Sequence, residues 1–280
     1  MHYFWPSMSL FITSLNSGSN GNCYYIGNEQ EAILIDAGIS CRETEKRMKR
    51  IGLSMSKVRA IFVSHEHSDH ITGIPGISKK YQLPVYFTTA TYQSSGIPVN
   101  EKLLRYFSSH QVIRIGGLTI KAFPKFHDAL DPHSFMVSGN KVNIGVFTDI
   151  GSVCKELINH FKKCHAAFLE ANYCADMLAR GNYPVYLKKR ISSDTGHLSN
   201  AQALDLFLEH RSPRLSQLIL SHLSQQNNHP DLVESMFSPL AGNTKITIAS
   251  RYHETEVFEI CSTTSGITAR SRKVQQLSMF

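Results

Sequence analysis

The stretch Val58-Arg59-Ala60-Ile61-Phe62-Val63-Ser64-His65-Glu66-His67-Ser68-Asp69-His70 decides how the rest of the chain is read. Its first half is a β-branched, apolar run with the length of a buried strand. Its second half sets three imidazoles and the Asp69 carboxylate within six residues, directly after that strand. Side chains launched from a rigid strand end into one loop can converge on a point, and these nitrogen and oxygen donors suit Zn²⁺, Mn²⁺ or iron. A histidine-rich surface loop would need no further ligands. Here His127, Asp149 and His222 each stand just beyond another apolar run of strand length, as a site shared between strand ends requires.

Outward from that motif, residues 9–15, 22–27 and 32–35 read as strands, with a turn-rich 16–21 between the first two. The charged stretch 41–51, closed by Gly52, reads as an exposed helix whose Arg42, Lys46, Arg47, Lys49 and Arg50 are surface. Residues 85–87, 112–115, 118–123, 134–137 and 142–147 are further strands, with Gly116-Gly117 and Gly139-Asn140 as hairpin turns. The second half alternates. Val153, Leu157, Ile158 and Phe161 form a helical stripe, 166–169 a buried strand, and 202–208 a helix. Ser199 and Gln202 make a capping box, which puts His197 in the loop entering that helix. Residues 218–220 and 245–249 are late strands, and Pro230 suits a first helical position. This order predicts an α/β (α+β) fold, two sheets between helices in four αββα layers. One domain over 8–261 is expected, followed by a basic tail over 262–280 with no helical or strand period.

Composition agrees. The 280 residues are 42% hydrophobic and only 18% charged, enough apolar material for a large core. No apolar run approaches the ~18 residues of a membrane span, and the start lacks a basic, then apolar, leader pattern. A cytoplasmic protein without membrane partners is the expectation. The net charge of +7 favours polyanionic partners, and the six cysteines include no Cys-x-x-Cys pair, so they read as reduced residues.

The metal motif in this order, with Ser17-Gly18-Ser19-Asn20-Gly21-Asn22, Thr148-Asp149, Tyr183-Pro184, Gly196-His197-Leu198-Ser199-Asn200 and Ser221-His222-Leu223-Ser224, resembles the metallo-β-lactamase-fold hydrolases. Within them it is similar to the YycJ/WalJ branch of bacterial DNA exonucleases, related to ribonuclease Z and PhnP-type phosphodiesterases. The resemblance implies two divalent ions, zinc or manganese: His65, His67 and His127 on one, Asp69, His70 and His222 on the other, Asp149 bridging. A shared hydroxide would attack phosphorus in line, with Asp69 orienting it. His197 would protonate the leaving oxygen and Glu170 would partner His197, although a capping-loop histidine and a surface glutamate are the plain alternatives. Asp36 would orient the metal loop or a ligand histidine.

The implied activity is 5′-to-3′ exonuclease action on single-stranded DNA in repair. A small-molecule hydrolase for a cyclic phosphodiester or lactone, and a metal-bound nucleic-acid-binding protein without turnover, stay open. Too few positions separate Asp149 from His222 for the inserted domain of ribonuclease J-like enzymes. Ser17, Ser19 and Asn22 could present groups to a phosphate, and Tyr186, Lys188, Lys189 and Arg190 interleave an aromatic ring with cations, as a single-strand grip would. The tail ends Gln276-Leu277-Ser278-Met279-Phe280, which resembles the peptide that docks bacterial repair proteins on the DNA sliding clamp.

Overall fold

The computed structural model describes residues 9–262 and the backbone of Arg270–Ser271. The strands of the first half are β1 (Ser9–Asn16), β2 (Cys23–Gly27), β3 (Ala32–Ile35), β4 (Val58–Phe62), β5 (Val85–Phe87), β6 (Leu104–Tyr106), β7 (Val112–Ile115) and β8 (Leu118–Pro124). Those of the second are β9 (His133–Gly139), β10 (Val142–Phe147), β11 (Ala166–Glu170), β12 (Gln217–Ser221), β13 (Lys245–Ile248), β14 (Phe258–Cys261) and β15 (Arg270–Ser271). The helices are α1 (Cys41–Arg50), α2 (Ser68–Ile71), α3 (Ile74–Tyr81), α4 (Thr89–Ser95), α5 (Lys155–Phe161), α6 (Ala175–Arg180), α7 (Val185–Ile191), α8 (Asn200–His210) and α9 (Pro230–Phe237).

One sheet runs β15-β14-β1-β2-β3-β4-β5-β6 and the other β13-β12-β11-β10-β9-β8-β7. Each changes character along its width. Pairing is antiparallel from β15 to β3 and from β7 to β10, then parallel from β3 to β6 and from β10 to β13. Because side chains alternate across a strand, Ile12, Ile33, Ile35 and Phe62 of the first sheet meet Ile120, Phe135, Ile144 and Phe168 of the second in a fully apolar middle layer. The outer face of the first sheet buries Leu34, Ile61 and Val85 against Met48, Ile74 and Ile77 of α1 and α3. The second buries Phe147, Leu169 and Leu220 against Phe161, Phe207 and Phe237 of α5, α8 and α9. The fold is the αββα sandwich expected.

Several local expectations need correction. Arg47 is buried, not surface: its guanidinium donates to Leu15 O at 2.8 Å and to Asn16 Oδ1 at 2.5 Å, and reaches Tyr252 O, so α1 is riveted to the end of β1. The β9–β10 hairpin turns on Asn140 and Lys141, both at positive φ, rather than on Gly139-Asn140. Helix α5 begins at Lys155, leaving Val153 outside the stripe and 37% exposed. The capping box of α8 and Pro230 at the start of α9 stand as expected. In the tail, Arg270–Ser271 pair with β14 as a two-residue strand where no period is legible. Gln276, Leu277, Met279 and Phe280 lie outside the described residues. No helix among those described is long and apolar enough to cross a membrane.

Phe168 is fully buried in the middle layer with its ring 4.8 Å from that of Tyr24, across the two sheets. Phe168→Ala is expected to destabilise the protein by about 3–5 kcal/mol, read as a lower denaturant midpoint at unchanged m-value.

Candidate metal centre

Strands β3, β4, β8, β10, β11 and β12 deliver Asp36, His65, His127, Asp149, Glu170 and His222 from just beyond, or at, their C-terminal ends. Parallel strands leave their carboxyl ends on one side, so the residues that follow them gather there without any long loop. The donor atoms of His65, His67 and His127 lie within 4.8 Å of one another, as do those of Asp69, His70 and His222. Asp149 lies between, with Oδ2 3.4 Å from His70 Nε2 and Oδ1 4.0 Å from His127 Nε2. The close approach of the loops is set by Gly38, where a Cβ would stand 1.7 Å from Asp69 O.

The direction of each ring follows from its second nitrogen. His70 Nδ1 lies 2.7 Å from Asp36 Oδ2, and His127 Nδ1 lies 3.1 Å from Gly196 O. A carboxylate and a carbonyl accept only, so each Nδ1 donates and each Nε2 is the nitrogen aimed at the centre. Ser64 Oγ donates to Asp36 Oδ2 at 2.8 Å and so accepts from His65 Nδ1 at 2.9 Å, which frees His65 Nε2. That nitrogen faces His67 Nδ1 at 3.1 Å. His222 Nδ1 contacts Glu170 Oε1 at 3.0 Å, again leaving Nε2 inward.

The residues present fit divalent ions. His127 Nε2, His222 Nε2 and Asp149 Oδ2 are buried and lack a hydrogen-bond partner, an arrangement that is expensive unless a cation meets them. Burial opposes charge on His70, but Asp149, Asp69 and Asp36 outweigh it and hold its pKa well above the imidazole range. His222 is likewise pushed up to about 10, against burial, by Asp149, Asp69 and Glu170. Burial opposes ionisation of Asp149 too, yet His222 and His70 keep it well below the carboxylate range. Burial, joined by His70 and Lys125, leaves His65 neutral. Protons on His70 and His222 therefore balance the carboxylates, and a cation entering here would displace them.

Glu170 and His197 form a pair beside this cluster. Glu170 is fully buried; its Oε1 accepts from His197 Nδ1 at 2.8 Å and its Oε2 from Ile150 N at 2.7 Å and Leu198 N at 3.1 Å. Against burial, His197 and His222 lower it to about 2. His197 Nε2 has no hydrogen-bond partner among the described residues. Glu170, His197, Asp149 and His222 also lie close enough to share a cation, so metal content in a His197 variant separates a ligand from a proton donor. Asp36 orients His70 and holds Ser64 N at 2.7 Å, which secures the metal loop itself.

Two of the expected substrate contacts face the protein instead. Ser17 is buried, its Oγ accepting from His222 N at 2.7 Å, and Asn22 is buried with Nδ2 3.1 Å from Asp69 Oδ2. Both position the ligand loops; Ser19 alone of the three is exposed. In α7, which buries no residue, Tyr186 is 74% exposed and Lys189 is exposed, while Lys188 Nζ donates to Ala179 O at 2.7 Å and Arg190 pairs with Asp128. None of the four touches the metal cluster. Sequence reading missed Ser64, Asn172, whose Nδ2 donates to His222 O at 2.8 Å, and buried Lys125, whose Nζ donates to Thr148 O at 2.7 Å. The one signal for Lys125 is a cation two places before His127 at an apolar strand's end.

Residues 31–223 match the family described as the beta-lactamase superfamily domain. The chain is 34% identical over 236 residues to the exodeoxyribonuclease YycJ of Bacillus anthracis, covering 82% of this chain and 89% of that protein. It is 30% identical to the exodeoxyribonuclease WalJ of Streptococcus pneumoniae over 81% of this chain and 87% of that one. Among solved structures, the metallo-beta-lactamase fold protein YhfI of Bacillus subtilis superposes with a TM-score of 0.68 at 17% identity, covering 90% of this chain and 99% of that one, which bears on the fold alone. The His/Asp cluster on this fold is a divalent-metal site.

Since the metal competes with protons on His70 and His222, affinity is expected to rise with pH through the neutral range, and metal uptake at pH 7 to release protons. Calorimetric titration in buffers of different ionisation heats counts them. Asp36→Ala is expected to weaken metal affinity roughly 10–100-fold in competition with a chelator.

Proposed function

The chain belongs to the beta-lactamase superfamily, in the branch that holds the YycJ and WalJ exodeoxyribonucleases, and from that premise we propose that it is a two-metal phosphodiesterase that degrades single-stranded DNA from its 5′ end in repair. The observation that carries this reading is the Glu170–His197 pair set against the metal cluster, with His197 Nδ1 2.8 Å from Glu170 and Nε2 unspent. Phosphodiester cleavage expels an alkoxide, which needs a proton in the transition state.

In this reading His65, His67, His127, Asp69, His70, His222 and Asp149 hold two divalent ions, zinc or manganese. Bound there, such ions supply a water of lowered pKa and offset charge on the phosphate. The chain's own groups do the rest. Asp69, held by Asn22, orients the attacking oxygen and accepts its proton. Glu170 fixes the His197 ring through Nδ1, so that Nε2 can give a proton to the leaving 3′ oxygen. DNA as substrate is supported by the names of the two relatives and by the net charge of +7. The sliding clamp as a partner is supported by the sequence of Gln276, Leu277, Met279 and Phe280 alone.

The test offers purified protein with Mn²⁺ or Zn²⁺ a panel of 5′-phosphorylated and 5′-hydroxyl single strands, duplexes, RNA and a chromogenic phosphodiester. Preferred loss of nucleotides from the 5′ end of single-stranded DNA is expected; turnover of the small diester alone would contradict it. His197→Ala is expected to keep its metal while losing ~10²–10⁴-fold in rate, with less loss on substrates that have better leaving groups. Loss of metal together with activity would make His197 a ligand. A peptide of residues 272–280 is expected to bind the cognate clamp at roughly micromolar affinity, and no binding would end the partner reading.

A further inference from the structure

Beside the metal centre lies a second concavity of about 390 Å³, walled by Ser17, Leu223, Ser224, His229, Arg251 and Tyr252 among others. It shares a wall with the centre. Ser17 Oγ accepts from the backbone of His222 at 2.7 Å, and Leu223 directly follows that histidine. The loop carrying Arg251 is fixed to α1, through Arg47 Nη2 to Tyr252 O at 3.1 Å and the Arg50–Glu254 ion pair at 2.5 Å. The cavity is therefore a built feature rather than a gap between loose loops.

Arg251 is half-buried in that wall, and its acceptors are all neutral: Leu223 O at 2.7 Å, Gln225 Oε1 at 3.3 Å and Ser19 Oγ at 3.5 Å. No carboxylate among the described residues pairs with it. A guanidinium withdrawn from water without a counter-charge is poised for an anion, and its planar fork favours phosphate. The floor, Leu223, Ile248 and Ala249, is apolar, while at the rim the Tyr252 ring is 69% exposed. Such a ring beside a cation holds a base by stacking while the cation takes its phosphate. The volume is at the low end for ligand sites, room for one nucleotide unit and not for paired strands.

We infer that this concavity is a nucleotide subsite of the same active site, in which Arg251 takes a phosphate and Tyr252 stacks on a base of a single strand laid across His222. The inference rests on the phosphodiesterase reading for what is cut, and adds how an unpaired strand is held. It also moves the strand grip from α7 to the loop at residues 248–253.

The test compares the full-length protein with Arg251→Ala, Arg251→Lys and Tyr252→Ala. Binding of a phosphorothioate-linked single-stranded oligothymidylate, followed by anisotropy, is expected to weaken roughly tenfold in Arg251→Ala, with a salt slope shallower by about 1. Arg251→Lys should recover part of this, and Tyr252→Ala should weaken binding by roughly tenfold with the slope retained. The ratio of kcat/KM on a cleavable oligonucleotide to that on a small chromogenic diester should fall about tenfold in Arg251→Ala. Equal loss on both substrates would make Arg251 structural, through its bond to Leu223, and would overturn the inference. So would an unaltered binding curve and slope, or no binding by the wild-type protein. If the wild-type protein cleaves no phosphodiester, the proposed function fails, while the binding measurements still decide the subsite.

Discussion

Two fully buried carboxylates, Asp36 and Glu170, hold the metal centre in register, because polar oxygens withdrawn from water need hydrogen bonds and both take theirs from the groups that must be aimed. Asp36 takes Ser64 N, Ser64 Oγ and His70 Nδ1; Glu170 takes Ile150 N, Leu198 N, His197 and His222. One follows β3 of the first sheet and the other ends β11 of the second. The centre therefore exists only where the two sheets are packed, and the apolar middle layer acts on function through these two side chains. Burial pulls the pKa of Lys125 below the usual lysine range, against the attraction of Asp149, Asp36, Glu170 and Asp69 around it.

The backbone carries part of the cost. Asp36, Asp149 and His222 all adopt left-handed φ of 56–58°, although none is glycine. Such conformations cost about 1–3 kcal/mol each and persist where surrounding structure over-determines them. Asp36 and His222 directly follow β3 and β12, and Asp149 stands two residues past the end of β10, so each strained position lies where a strand gives way to the loop that carries the site. Relaxed strand exits would carry the carboxylates and the imidazole away from one another.

His65 to His70 are legible because the signal is local: a polar, donor-dense run directly after a β-branched strand. His127, Asp149 and His222 are legible for the same reason, each just past a strand end, and four layers follow from the order of strand and helix patterns. Arg47 is not legible, since its charged helix looks solvated until β1 and the loop at 252 are brought to it. Ser17 and Asn22 read as phosphate contacts because a Gly/Ser/Asn loop looks alike whether it faces solvent or a ligand loop. Short strands such as β6 and β14, and the helix α2 that starts inside the metal motif, depend on pairing partners far away in the chain. Arg251 had no local mark at all, since its significance lies in the absence of a carboxylate around it in space.

In the proposed function, inward-facing imidazole and carboxylate groups hold two ions side by side. X-ray absorption fine structure on the zinc-loaded protein tests this most directly. The prediction is a shell of nitrogen and oxygen at ~2.0–2.2 Å with strong imidazole scattering, no sulfur, and a zinc–zinc vector at about 3.5–4 Å. A sulfur shell at ~2.3 Å, or one isolated zinc per chain at saturating metal, would contradict it.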